Sequence, residues 1–207
     1  PQIVYKSLYG PTLIRNDHGG DPKYDVFVGA FLGDLFVKGL GQFYEPYEVA
    51  PSRPQTIYYG TYRVWRTNMR GGIDGNNDGD ATDDSSDKSD WVPISFDLRC
   101  NDQPVDPAAT CTGGPYYGKG IASLAVSPSN PNVVAAAASN GNIWLTTNGL
   151  ASTRTDTSCS PFNNVLGVAL CDYVSGPTWH RIDTGLPKRY PTSIAFAPGS
   201  SSTLYVT

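Results

Sequence analysis

The chain has 207 residues, 39% of them hydrophobic and 16% charged, and a net charge of −4. That is enough chain for one or two globular domains. It carries no clustered Lys/Arg face of the kind that binds nucleic acid and no apolar run that could span a bilayer. Gly (22), Pro (17) and Tyr (13) are abundant, Met occurs once and no stretch has helical periodicity, so the composition predicts an all-β chain of short strands and tight turns.

One phrase recurs along the sequence. It reads PQIVYKSLYGPTLIRND from Pro1, PQTIYYGTYRVWRTN from Pro54 and PNVVAAAASNGNIWLTTNG from Pro131, and breaks off as SSTLYVT at Thr207. Aligned on Val4, Ile57, Val134 and Leu204, the copies are 53, 77 and 70 residues apart. A four-stranded repeat unit takes roughly 40–50 residues, so the surplus belongs to inserted loops. The units are predicted over residues 1–43, 44–112 and 113–191, with 192–207 beginning the next. In the second unit, strands are expected over 47–50, 56–59, 63–67 and 91–94. The third is the clearest. Ile121–Val126 alternates, 133–138 is small and apolar, an Asn-Gly turn follows, 143–147 is the third strand and 178–183 the fourth. Residues 192–197 start the next unit. Trp65 and Trp144 fall at one place in the third strand, and Trp91 and Trp179 at one place in the fourth. Packing between sheets is the expected use of these rings; stacking on a sugar is the alternative.

The strand order, a polar turn and then a Trp resemble the BNR or Asp-box repeat, S/T-x-D-x-G-x-T-W, of sialidases, xyloglucanase-type glycosidases and sortilin-type receptors. The boxes here are degenerate. The first is Arg15-Asn16-Asp17-His18-Gly19. The second is Thr67-Asn68-Met69-Arg70-Gly71, with Met at the Asp position. The third is Thr146-Thr147-Asn148-Gly149-Leu150, with Asn there. The resemblance implies about three four-stranded blades of a β-propeller, a single incomplete domain whose other blades come from the rest of the chain or another subunit. It also implies a box that holds a turn and names no activity.

Seven of the chain's acids are Asp residues within 74–90, and without that segment 12 acids face 14 bases. Asp74, Asn76, Asp78 and Asp80 alternate as oxygen donors and Gly79 stands where a calcium loop turns. With Asp84 in support, the spacing predicts a Ca²⁺ site, against the alternative of a solvated acidic loop. The cysteines form two local pairs, Cys100 with Cys111 and Cys159 with Cys171. Two disulfides and an oxidising location (secreted, periplasmic or cell-surface) are expected, against four free thiols.

In a propeller, ligand groups usually come from the loops between blades and between second and third strands, and the box turns lie on the other face. Both insertions, 74–90 and the Cys159–Cys171 loop, interrupt box turns, which places them away from the usual ligand face. On that face the candidates are Tyr116, Tyr117, Lys188, Arg189 and Tyr190. Asp97 and Asp183, each following a fourth strand, are the candidate carboxylates for glycoside hydrolysis, which needs two of them about 5–10 Å apart. Asp in a turn is more often a turn residue. Glu45 and Glu48 read as an ordinary strand entry. The expected function is an extracellular module that binds a protein or a glycan, or serves as a scaffold. A glycoside hydrolase of sialidase or xyloglucanase type is the alternative, and an accessory subunit of a surface assembly a weaker one.

Overall fold

A computed structural model describes residues 2–8, 10, 12–29, 34, 41–79, 81, 89–105, 111, 120–156 and 172–207. Among these the regular structure is strand, apart from a 3-10 turn at Pro22–Tyr24 and a helical position at Asp34. The first sheet joins β1 (Val4–Ser7), β2 (Leu13–Asn16) and β3 (Asp25–Phe27) in that order. The second joins β4 (Tyr47–Val49), β5 (Ile57–Gly60), β6 (Val64–Thr67) and β7 (Val92–Pro93). The third takes β8 (Ile121–Val126), β9 (Val134–Ala138) and β10 (Ile143–Thr146), then a separate ribbon of β11 (Arg154–Thr155) and β12 (Tyr173–Ser175), and closes with β13 (Trp179–Arg181) beside β10. The last pairs β14 (Ile194–Phe196) with β15 (Leu204–Val206). Every ladder between these strands is antiparallel. The chain is therefore all-β, built from small antiparallel meanders near the positions the repeat predicts. The β11–β12 ribbon had no signal in the repeat.

Period-two alternation sends each inner strand's side chains into two cores. On β5, Ile57 and Tyr59 enter the core shared with the first sheet, with Leu13, Val28, Trp65 and Trp91. Tyr58 enters the core shared with the third sheet, with Phe96, Leu98, Ile121 and Trp144. On β9, Val134, Ala136 and Ala138 face that same core, while Ala135 and Ala137 face Ile143 and Ile194. Strands buried on both faces lose the polar alternation of a half-exposed sheet, which is why β9 reads VAAAA. Its small side chains leave room for the large rings of the neighbouring strands.

Trp91, Trp144 and Trp179 give their indole N–H to carbonyls beyond the last strand of the preceding sheet, and Trp65 gives its own to a carboxylate outside the sheets. Trp91 donates to the Val28 carbonyl just past β3, and Trp179 donates at 2.9 Å to the Ile94 carbonyl just past β7. Trp144 donates to the Leu98 carbonyl at 2.7 Å and Trp65 to the Asp34 carboxylate at 2.7 Å. An indole buried without an acceptor is unfavourable, so these bonds fix how successive sheets meet.

The acidic insertion is tied to the first sheet. Phe27 N–H donates to the Gly79 carbonyl at 3.0 Å and Ala81 N–H to the Phe27 carbonyl at 2.9 Å, extending the ladder beside β3. No helix among the described residues is long and apolar enough to cross a membrane.

Candidate functional site

The box turns come first, because two of them share one geometry. Pairing sets Val4 opposite Asn16, Ile57 opposite Thr67 and Val134 opposite Thr146. Asn16, and not Arg15, therefore occupies the Ser/Thr position of the first turn, one residue later than the sequence alignment has it. Asn16 Oδ1 accepts from His18 N–H at 3.0 Å and Gly20 N–H at 2.8 Å. Thr67 Oγ1 accepts from Met69 and Gly71 N–H, both at 3.1 Å. In each case the acceptor holds the amides two and four residues on. Residues three and four on are left-handed in both: Gly19 and Gly20 at φ 69° and 99°, Arg70 and Gly71 at φ 61° and 100°.

The second turn contains no Asp of its own, and a carboxylate from elsewhere holds it. Asp90, on the far side of the insertion, accepts from Thr67 Oγ1 and, at 2.6 Å, from Asn68 N–H. In the third turn Thr146 Oγ1 donates to Asn148 Oδ1 at 2.9 Å, and that oxygen also accepts from Thr178 N–H at the entry to β13. An amide oxygen thus does there what a carboxylate does in the second turn. Asp17 and Met69 hold neither turn. Both are exposed, and Asp17 stands 3.2 Å from Arg15 Nε.

Arg15 has a different task. Its guanidinium donates to the Arg70 and Gly72 carbonyls at 3.2 and 2.7 Å. Arg66, just before Thr67, donates to the Gly149 and Ala151 carbonyls at 2.5 and 3.0 Å. Each arginine precedes its own box residue and caps two carbonyls of the next sheet's turn, at matching positions.

At the opposite end of β5 and β6 lies a buried charge cluster. Asp34 accepts from Arg63 Nε and Nη2 at 3.1 and 2.9 Å, from Thr61 Oγ1 at 2.6 Å and from Trp65 Nε1 at 2.7 Å. The side chains of Arg63 and Asp34 are only 3% and 2% exposed. The guanidinium also lies 4.6 Å from the Trp65 ring, 5.2 Å from the Tyr62 ring and 3.7 Å from Asp172. Burial pulls the arginine down, but Asp34 and Tyr62 outweigh it and keep the cation charged. Arg63 thus links the β5–β6 hairpin to Asp34 and to Asp172, just before β12. Its partner Asp34 carries no motif and lies 29 residues away.

Beside this cluster, Glu45 is buried, and its Oε1 accepts from Gln42 N–H at 2.5 Å while Oε2 has no hydrogen-bond partner. Burial pushes its carboxyl up to about 9; the Gln42 hydrogen bond opposes this and the Asp34 charge adds to it. Glu45 is therefore a protonated acid at neutral pH, not the plain strand entry that the sequence suggests.

Asp97 and Asp183 are both buried, and each is held by its own bases. Asp97 accepts from Arg99 Nε at 2.9 Å, Arg99 Nη2 at 2.6 Å and Cys111 N–H at 2.7 Å. Asp183 is contacted by Lys188 Nζ, and Arg181 Nε stands 2.9 Å away. Their backbone carbonyls open matching turns, accepting from Cys100 and Leu186 N–H at 3.1 and 3.0 Å. Neither lines either of the two clefts described below. Lys188, Arg189 and Tyr190 are all exposed, and Lys188 Nζ also meets Asp183 and Asn142. Tyr116 and Tyr117 lie outside the described residues.

Two adjoining clefts, of about 520 and 430 Å³, run between the first and second box turns and share Arg15, Asp17 and Ile73. The larger is closed by the acidic loop. There Asp74 Oδ2 accepts from Gly79 N–H at 2.9 Å and Asn76 Nδ2 donates to Asp78 at 2.9 Å. These donors satisfy one another within the loop. Asp80 and Asp84, the other expected ligands, lie outside the described residues.

Cys100 and Cys111 form a disulfide with Cα atoms 5.2 Å apart. Asp97 lies close to both sulfurs, but disulfide sulfurs offer no thiolate to a metal. Cys159 and Cys171 lie outside the described residues.

No protein-family model, no curated protein and no solved structure matches the chain.

Proposed function

We propose that the chain is a segment of an Asp-box-type β-propeller that serves outside the cytoplasm as a binding or scaffold module for a protein or glycan. The sheets are its blades, and the remaining blades come from the rest of the chain or from another subunit. The observation that carries the reading is translational. The arginine before each box caps the next turn at matching carbonyls, and Trp91 and Trp179 each reach back to the carbonyl just past the last strand of the preceding sheet, at both successive joins. Contacts repeated with a fixed offset are what a stack of equivalent blades requires. The disulfide supports an oxidising location.

A scaffold reading is favoured over glycoside hydrolysis because each candidate carboxylate is buried against a cation of its own. A glycosidase's general acid must face a substrate, and neither carboxylate lines either cleft. The test is a ligand array with the full-length protein, followed by assays on chromogenic glycosides. Saturable binding without released aglycone is expected. Turnover abolished by Asp97→Asn or Asp183→Asn would establish the enzyme instead.

Calcium at the acidic loop is a lesser proposal, supported by Asp74 turning the chain about Gly79 at φ 98°. Chelation is expected to speed proteolysis within residues 74–90. Equal cleavage rates with Ca²⁺ and with chelator would remove the ion from the account.

A further inference from the structure

Where the third sheet meets the chain leading to β14, a lysine, an asparagine and an aspartate converge. Asn142, in the β9–β10 turn, is fully buried. Its Nδ2 donates to the Arg99 and Cys100 carbonyls at 3.1 and 2.7 Å, which fixes the amide plane. Its Oδ1 is aimed at Lys188 Nζ, 2.8 Å away and 46 residues along the chain. The same Nζ contacts the Asp183 carboxylate, itself buried. Nothing in the fold, the box turns or the candidate carboxylate chemistry requires this arrangement.

We propose that Lys188 and Asn142 join in an intramolecular isopeptide bond, with Asp183 as the proton carrier. Lys188 Nζ stands 2.8 Å from the oxygen of the amide it would attack and in contact with the carboxylate that would take its proton. Asp183 takes a proton from the Lys188 ammonium. The neutral Nζ attacks Asn142 Cγ and forms the new C–N bond. Asp183 returns the proton to Nδ2 and accepts the second Nζ proton as the Cγ–Nδ2 bond breaks. Nitrogen leaves as ammonia, which carries a proton into solvent and restores the carboxylate. No oxidant, reductant or cofactor enters the balance. Three features favour the chemistry. Burial and the Arg181 guanidinium both hold the Lys188 ammonium below the ordinary lysine range, easing its deprotonation. The Arg99 and Cys100 carbonyls accept hydrogen bonds from the nitrogen that must become the leaving group, stabilising it as it gains positive charge. Asn142 is preferred over Asp183 as the acyl partner because an amide loses ammonia, whereas a carboxylate has no leaving group without activation. The bond would tie the β9–β10 turn to the segment that leads into the last sheet. The inference does not rest on reading the sheets as blades.

The test is mass spectrometry of the full chain, reduced to open its disulfides. Linkage lowers the intact mass by about 17 Da, the mass of ammonia. It also protects Lys188 from trypsin and yields one branched peptide containing both residues. The Lys188→Arg and Asn142→Ala variants should carry the unmodified mass. Asp183→Ala, which keeps both reacting residues, should also stay unlinked if it folds. Partial linkage that rises on incubation and is abolished in Lys188→Arg supports the proposal as well. A wild-type mass equal to that of the sequence, with trypsin cutting after Lys188, overturns it. So does a loss of about 18 Da with Lys188 joined to Asp183, which would make the aspartate the acyl partner.

Discussion

The join between the first and second sheets and the join between the second and third are built from equivalent positions, yet one is charged and the other largely neutral. At both, an arginine caps the next turn and a Trp reaches back to a backbone carbonyl. They differ at the hairpin end. Arg63 precedes Val64 as Asn142 precedes Ile143, and Trp65 matches Trp144. At the first join Arg63 and Trp65 converge on the buried Asp34 carboxylate. At the second, Asn142 and Trp144 bond backbone carbonyls of residues 98–100, and the nearby acid, Asp97, is neutralised by Arg99 two residues away. A charge brought from a distant segment makes that join conditional on its partner; a carbonyl asks only for a donor of the right shape.

Arg63→Ala should separate the two joins most. It strands Asp34 without its cation and should lower the unfolding free energy by about 3–5 kcal/mol. Arg99→Ala leaves Asp97 its two backbone donors and should lower it by about 1–2 kcal/mol. Denaturant unfolding of the two variants measures both, and equal losses would mean that the joins do not differ in kind.

Glu45 makes the first join pH-dependent. The folded state holds its proton up to about pH 9, whereas the unfolded carboxyl releases it near 4.5. Between those values the folded state binds the extra proton, so stability falls as pH rises, by up to about 1.4 kcal/mol per pH unit. The penalty is absent below the unfolded value and complete above the folded one. Glu45→Gln should flatten the slope over this window, and an unchanged slope would assign it to other groups.

The two matching box turns offer a smaller contrast. A Cβ on Gly71 would stand 2.5 Å from Val28 Cβ at φ 100°, whereas one on Gly19, at φ 69°, meets nothing within 4 Å. Gly71→Ala should therefore lose about 2–3 kcal/mol and Gly19→Ala about 1 kcal/mol, read from shifts in thermal midpoint. The least effect is expected from Arg15→Ala and Arg66→Ala, each about 1 kcal/mol. If the caps are equivalent, the two losses should agree within error. A much larger loss at Arg66 would show that the joins differ on the box face too.

Most strands and the Trp pairs were legible in the sequence, the β11–β12 ribbon excepted, because β period, Asn-Gly turns and repeated spacing are local signals. The Trp residues lie between sheets, as their alignment suggested. The first box was misaligned by one residue because Asn16 supplies the oxygen that Thr67 and Thr146 supply, and the motif names side chains where the turn needs only an acceptor. Asp90 was hidden for the same reason, since an insertion separates it from the turn it holds. Asp34 could not be read, because its partners are 27 to 31 residues away and nothing local marks the pairing. The pairing of Asp97 with Arg99, and of Asp183 with Arg181, was visible as a base two residues from each acid, a pattern that points to a held turn before it points to catalysis.

The backward reach of the Trp indoles gives the chain a direction of assembly. The second sheet receives two indole bonds that its successor's third and fourth strands supply. A final sheet with no successor would lack them. An interruption would leave its last sheet as the point where unfolding begins.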